Sequence, residues 1–156
     1  MSEQQLMILD KHDSLSWVLM PKALERIEKF CRKYQTDTNA DELVNLVQMH
    51  FVAENPLLMV AVGFQPGKGV FAHALACIDE NIGNRFVTIM QLESDVPFED
   101  RKAVNLILDQ FKLWGLSHNA IEVNIVTTDE AHARLFKRYY GFRQHRIVMR
   151  KSLMEK

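Results

Sequence analysis

The sequence has no apolar run long enough to cross a bilayer, no excess of basic residues and only two cysteines. Each absence removes a class. A bilayer-spanning helix needs about 20 apolar residues in succession, so no membrane partner is expected. A net charge of −1 and a pI near 6.6 give no positive footprint for phosphates, so no nucleic-acid partner is expected. The short basic run at Lys137-Arg138, followed by Arg143, Arg146, Arg150 and Lys151, reads as the solvated edges of a helix and a strand. The N-terminal MSEQQ lacks a signal-peptide core, and a cytoplasmic location is expected. Cys31 and Cys77 sit inside apolar patterns. Buried free thiols are expected there, with a single disulfide as the alternative.

Catalytic signatures are also scarce. The six histidines, His12, His50, His73, His118, His132 and His145, form neither H-x-H nor H-E-x-x-H, so no metal site is expected. There is no G-x-S-x-G elbow, and neither cysteine has a nucleophile context. Gly67-Lys68-Gly69 lacks the spacing of a phosphate loop and predicts a hairpin turn. His73, in an alanine-rich strand, reads as a satisfied core or cleft histidine. Met49, Met59, Met90 and Met149 read as core filler.

What remains is an ordinary globular composition, 47% hydrophobic and 25% charged over 156 residues, long enough for one domain spanning 1–156. Leu6 to Leu9 predicts a strand. Leu15 to Met20 is ambiguous between strand and loop, and Pro21 fits the first turn of a helix. Leu24, Ile27, Phe30, Cys31 and Tyr34 recur at helical spacing. Asn39 with Glu42 three residues on signals a second helix, carried by Leu43, Leu46, Val47, His50 and Phe51 and ended before Pro56. Three apolar runs, 57–64, 70–79 and 86–93, separated by short turns, predict an antiparallel meander. Pro97 opens a third helix, with Glu99 and Asp100 in its first turn. Its stripe is Ala103, Val104, Ile107, Leu108 and Phe111, and Gly115 is its stop.

The stretch from Ile121 to Arg150 is the most legible. Ile121, Val123 and Ile125 alternate with Glu122 and Asn124, as in a strand with one buried face. Thr127 stands three residues before Glu130, a capping-box spacing. Leu135, Phe136 and Tyr139 give the helix a stripe, and Gly141 supplies the left-handed residue that ends it. Residues 142–150 return as a strand. The whole predicts a mixed α/β sheet, mostly antiparallel, with one parallel β-α-β crossover from the 86–93 run to the Ile121 strand, and flanking helices.

This order of elements resembles the GNAT (N-acetyltransferase) superfamily from about Leu6 to Leu153. The most specific local match is Ala133-Arg134-Leu135-Phe136-Lys137-Arg138-Tyr139-Tyr140-Gly141-Phe142, which is similar to that family's final helix. The resemblance implies acetyl transfer from acetyl-CoA to an amine on a small molecule or protein. It implies a pantetheine arm lying against Met90, Gln91 and Leu92, where the strand splays from the next one, and it puts Glu93 in the place of a general base for the acceptor amine. It puts Arg101 and Lys102 toward the pyrophosphate.

The chain departs from that family in two places. The phosphate loop normally carries two small residues, where this sequence has Val104 and Leu106, and no glycine occurs between Gly83 and Gly115. The tyrosine that serves as general acid on the final helix is replaced by Lys137. These departures imply the alternative of a non-catalytic GNAT-like protein acting through protein–protein contacts. Such a protein would work with a partner or as a homo-oligomer, like the virion or assembly components of tailed phages, and would then be virion-associated.

Overall fold

A computed structural model of the chain describes residues 4–55, 57–95, 102–127 and 129–144, together with 149, 151 and 153. The elements are β1 (Gln5–Ile8), α1 (Ser14–Tyr34), α2 (Ala40–Ala53), β2 (Leu58–Gln65), β3 (Gly69–Asn81), β4 (Asn84–Ser94), α3 (Lys102–Ser117), β5 (Ala120–Ile125) and α4 (Glu130–Tyr140). The five strands form one sheet in the order β1-β2-β3-β4-β5. The first four pair antiparallel, and β4 pairs parallel with β5 through the α3 crossover. The mixed α/β architecture expected from the sequence is therefore present.

Both faces of the sheet are covered. Along β2, Val60, Val62 and Phe64 pack toward Ile27, Cys31, Leu43 and Val47 of α1 and α2. Met59 and Ala61 alternate with them and pack with Val104, Ile107, Leu108 and Phe111 of α3. The period of two along a strand sends successive side chains to opposite layers, and β2 is buried throughout its interior for that reason. Among the described residues no helix is long and apolar enough to cross a membrane. Cys31 and Cys77 are both free thiols, so the disulfide alternative is not realised.

Several boundaries differ from the sequence expectation. Leu15–Met20 is helical, not strand or loop, and belongs to α1. Asp13 caps the helix by accepting from the Leu15 N–H at 2.9 Å, and Pro21 lies inside it rather than in its first turn. Leu19 and Met20 are buried ahead of the proline, so packing offsets the one backbone hydrogen bond that proline removes. Leu46, expected on the buried stripe of α2, is exposed. The cap of α4 is Asp129, whose carboxylate accepts from the Ala131 and His132 N–H groups, and not Thr127. Ile121 is exposed, because β5 carries an extra residue between Arg85↔Ala120 and Phe86↔Glu122 that turns it off the buried face.

Gly115 is not a stop. α3 continues to Ser117 and the left-handed residue is Asn119, at φ 61°. A Cβ at Gly115 would stand 2.6 Å from Val87 Cγ2, so the glycine serves close helix-to-strand approach. Met49 and Met149, expected as core filler, are exposed, whereas the second-helix cap, the final glycine stop and the hairpin turn hold. Asn39 accepts from the Glu42 N–H at 3.1 Å, and Gly141 ends α4 at φ 73°. Gly67-Lys68-Gly69 falls at the β2–β3 hairpin, with the Lys68 N–H bonded to the Gln65 carbonyl at 2.9 Å. The expected helix opening at Pro97, with Glu99 and Asp100, lies outside the described residues, as do Pro56 and most of the strand expected at 142–150. Phe142, Arg143 and Gln144 are described and are not strand.

Candidate active site

The site is built where two parallel strands stop being partners. β4 and β5 pair from Arg85↔Ala120 to Ile89↔Ile125, with the one shift at Ile121. β5 ends there, whereas β4 runs on to Ser94. At the same place β4 carries an extra residue against β3, since Gln91 faces Leu75 while Ile89 faces Ala76, leaving Met90 between them. A bulge re-aims the backbone locally. Here the Met90 carbonyl accepts a hydrogen bond from Gln35 Nε2 at 2.9 Å, at the C-terminal end of α1.

A pocket opens between the parted strands. Met90, Gln91 and Leu92 form one wall and Ile125, Val126 and Thr127 the other, with Phe30, His132 and Phe136 closing it. The free space is about 20 Å³, room for one water molecule. Tyr34 of α1 meets His132 of α4 at the same end, ring centroids 5.2 Å apart.

A buried polar chain runs beneath α1 to this point. Arg26 Nε donates to His73 Nδ1 at 3.2 Å. His73 Nε2 therefore carries the proton and donates to Gln91 Oε1 at 2.9 Å. Gln91 Nε2 donates to Gln35 Oε1 at 3.0 Å and to the Ile27 carbonyl at 3.3 Å. Gln35 Nε2 then reaches Met90, closing the chain on the backbone of β4. His73 and Gln91 are fully buried. Burial pushes the His73 pKa down to about 4, with the Arg26 charge adding to the effect against the Gln91 hydrogen bond, so the ring is neutral at pH 7. At the other end the Arg26 guanidinium bonds Asp95 Oδ2 at 2.9 Å and Glu93 Oε1 at 3.4 Å.

The residues expected from the sequence are thus partly gathered. Met90, Gln91 and Leu92 line the pocket, and Glu93 follows them at the strand end, half-buried and ion-paired. Gln91 spends its side chain on the polar chain and offers backbone at most. Arg101 and the Lys102 side chain lie outside the described residues. Val104 is buried in the core beneath α3. Lys137 is exposed on α4. Tyr140 packs on Phe136 at 5.7 Å. His73 is the satisfied histidine expected. Cys77 is no ready nucleophile, because burial pushes its thiol up to about 11. Sequence reading missed Arg26, Gln35 and the Tyr34–His132 contact. The partners of Arg26 and Gln35 here lie 47 to 69 positions away, and no local pattern announces such pairs.

No family model matches the sequence, and no curated protein matches it. Solved structures do match by shape. An acetyltransferase of Trypanosoma brucei is 19% identical, with TM-score 0.62 over 97% of this chain and 100% of that one. A predicted acetyltransferase from Clostridium acetobutylicum, solved with acetyl-CoA, is 14% identical, with TM-score 0.68 over 100% and 99%. The fold is that of the GNAT acetyltransferases. Glucosamine-6-phosphate N-acetyltransferase from Arabidopsis thaliana, at 14% identity and TM-score 0.66 over 97% and 99%, has the same GNAT shape.

The Clostridium structure holds acetyl-CoA, and the strand side of the pocket in this chain fits an extended, amide-bearing arm. The Met90 carbonyl accepts an amide N–H, as its bond to the Gln35 carboxamide shows, and the walls are mostly apolar, as ligand sites are. The space does not fit such an arm with the surrounding side chains where they stand, because about 20 Å³ is far below the roughly 300 Å³ of a small-ligand pocket.

Proposed function

We propose that the chain is an acyl-CoA-dependent N-acyltransferase that moves acetyl from acetyl-CoA to an amine on a small molecule or protein. The observation that carries this reading is the parting of β4 from β5 after Ile89↔Ile125, with Met90–Leu92 left along an apolar slot. Full-length shape agreement with a structure solved with acetyl-CoA supports it, and free thiols at Cys31 and Cys77 suit a cytoplasmic setting.

Bound acetyl-CoA supplies the acetyl thioester. Met90 and Leu92 would hold the arm by backbone and apolar contact once the side chains around the slot move aside. Glu93 Oε1 accepts the proton that the amine sheds. Arg26 holds Glu93 at the strand end and has Asp95 at 2.9 Å as a nearer partner, so yielding Glu93 to an amine does not strand the guanidinium. Arg101 and Lys102 are the cations we assign to the phosphates.

Acetyl-CoA is titrated into the protein and melting is followed. At a hundred times Kd a ligand adds about 2.7 kcal/mol, a rise of roughly 5–10 °C for a domain of this size. An unmoved melt at millimolar acetyl-CoA removes the enzyme reading.

A second reading is a non-catalytic GNAT-like component acting by protein contacts. The narrowness of the slot favours it, as does the apolar surface of Leu113, Leu116 and Ile121, all more than half exposed. A protein that stays monomeric in sedimentation and retains no partner on affinity capture rejects this reading.

A further inference from the structure

The Gln35 side chain ends in a primary carboxamide that takes a backbone carbonyl of β4. Its Nε2 is 2.9 Å from the carbonyl of Met90, the bulged residue at the parting of β4 and β5. Its Oε1 takes the Gln91 amide at 3.0 Å. The donor half of this arrangement, an amide N–H on a strand carbonyl, is what an amide of an extended chain presents to a strand; the acceptor half is taken by the Gln91 side chain. Gln35 is the C-cap residue of α1, with its N–H on the Cys31 carbonyl at 2.8 Å. Its backbone is fixed by the helix end while its side chain spans to the sheet. The segment after it, 35–39, is the polar link to α2.

We propose that Gln35 is a gate that occupies the ligand position on β4 until an amide-bearing acyl carrier displaces it. This rests on the acyl-CoA reading above and goes further, because it gives the Met90 carbonyl to a side chain that a carrier amide must displace. The rest of the polar chain makes displacement tolerable. When Gln35 swings out, Gln91 keeps the Ile27 carbonyl at 3.3 Å and the His73 ring at 2.9 Å, and the Met90 carbonyl passes to the incoming amide. Only the Gln35 carboxamide leaves for water, which solvates it readily.

The test is binding of acetyl-CoA, and separately of free CoA, to the wild type, Gln35→Ala and Gln35→Met, by calorimetry. Methionine keeps the length and removes the hydrogen bonds, so it separates competition for the carbonyl from the opening of space. Melting of each protein without ligand confirms folding. Both variants are expected to bind roughly three- to tenfold tighter than wild type, the worth of one neutral hydrogen bond released from competition. Binding by a variant with none detectable in wild type overturns both the gate and the acyl-CoA reading, because a gate must yield to its ligand in the wild-type chain. Equal or weaker binding by both variants, with wild type binding, overturns the gate and leaves the acyl-CoA reading standing. Tighter binding by Gln35→Ala alone overturns competition for the carbonyl. No binding by any of the three proteins overturns both.

Discussion

Arg26 Nε donates to Nδ1 of His73 at 3.2 Å, which ties the middle of α1 to a ring with no exposure at all. That bond fixes the tautomer of the histidine, and through Nε2 the orientation of Gln91. A cation beside a buried base keeps the base uncharged, and the folded protein carries that preference as a dependence on pH.

His73 has a pKa near 6.5 when unfolded and about 4 when folded. The unfolded chain takes up the proton first, so stability falls as pH drops through this interval. This group's contribution is complete above about pH 6.5, and its loss reaches about 3 kcal/mol below pH 4. Urea midpoints from pH 4 to 8, for wild type and His73→Asn, should diverge in slope between pH 4 and 6.5. Parallel profiles would show that folding leaves the His73 pKa at its unfolded value.

Gln91→Leu should cost about 2–4 kcal/mol. Leucine has a similar volume but deprives the His73 Nε2–H of its acceptor and the Gln35 carboxamide of its donor, and buried groups left without partners are expensive. A loss under about 1 kcal/mol in chemical denaturation would mean that water or a side-chain shift replaces the lost bonds.

Gly115→Ala should destabilise by about 2 kcal/mol, since the new methyl meets Val87 Cγ2 at 2.6 Å and a buried β-branched side chain has little freedom to turn away. Val87→Ala alone opens a void. The double variant should be more stable than the sum of the two single losses, by about 1 kcal/mol or more. Simple additivity would place the clash elsewhere.

Glu93→Gln should lower acetyl transfer at neutral pH about a hundredfold while leaving the melting shift with acetyl-CoA unchanged. Unaltered turnover removes Glu93 from proton transfer. A lost melting shift assigns it to binding instead.

The sequence determined the elements and their order, because those depend on neighbours. The apolar runs 57–64 and 86–93 between short turns, period 3.6 after Leu24, the Asn39 cap and the Gly141 stop are local statements, and each holds. Where local signals competed with packing they misled. Pro21 was read as a start, Gly115 as a stop and Ile121 as buried, and each was decided by what lay across the sheet. The strand positions Met90–Leu92 were legible through resemblance, since topology alone places them at the parting.

The state of that place was decided only by tertiary structure. Gln35, Gln91, His73 and Arg26 are four polar residues scattered over two helical turns and two strands. They become one chain because burial forces every polar atom to find a partner, and those partners lie far apart in sequence. Backbone order follows from short-range periodicity. Whether the slot stands open or closed follows from side chains that meet only after the sheet and helices have packed.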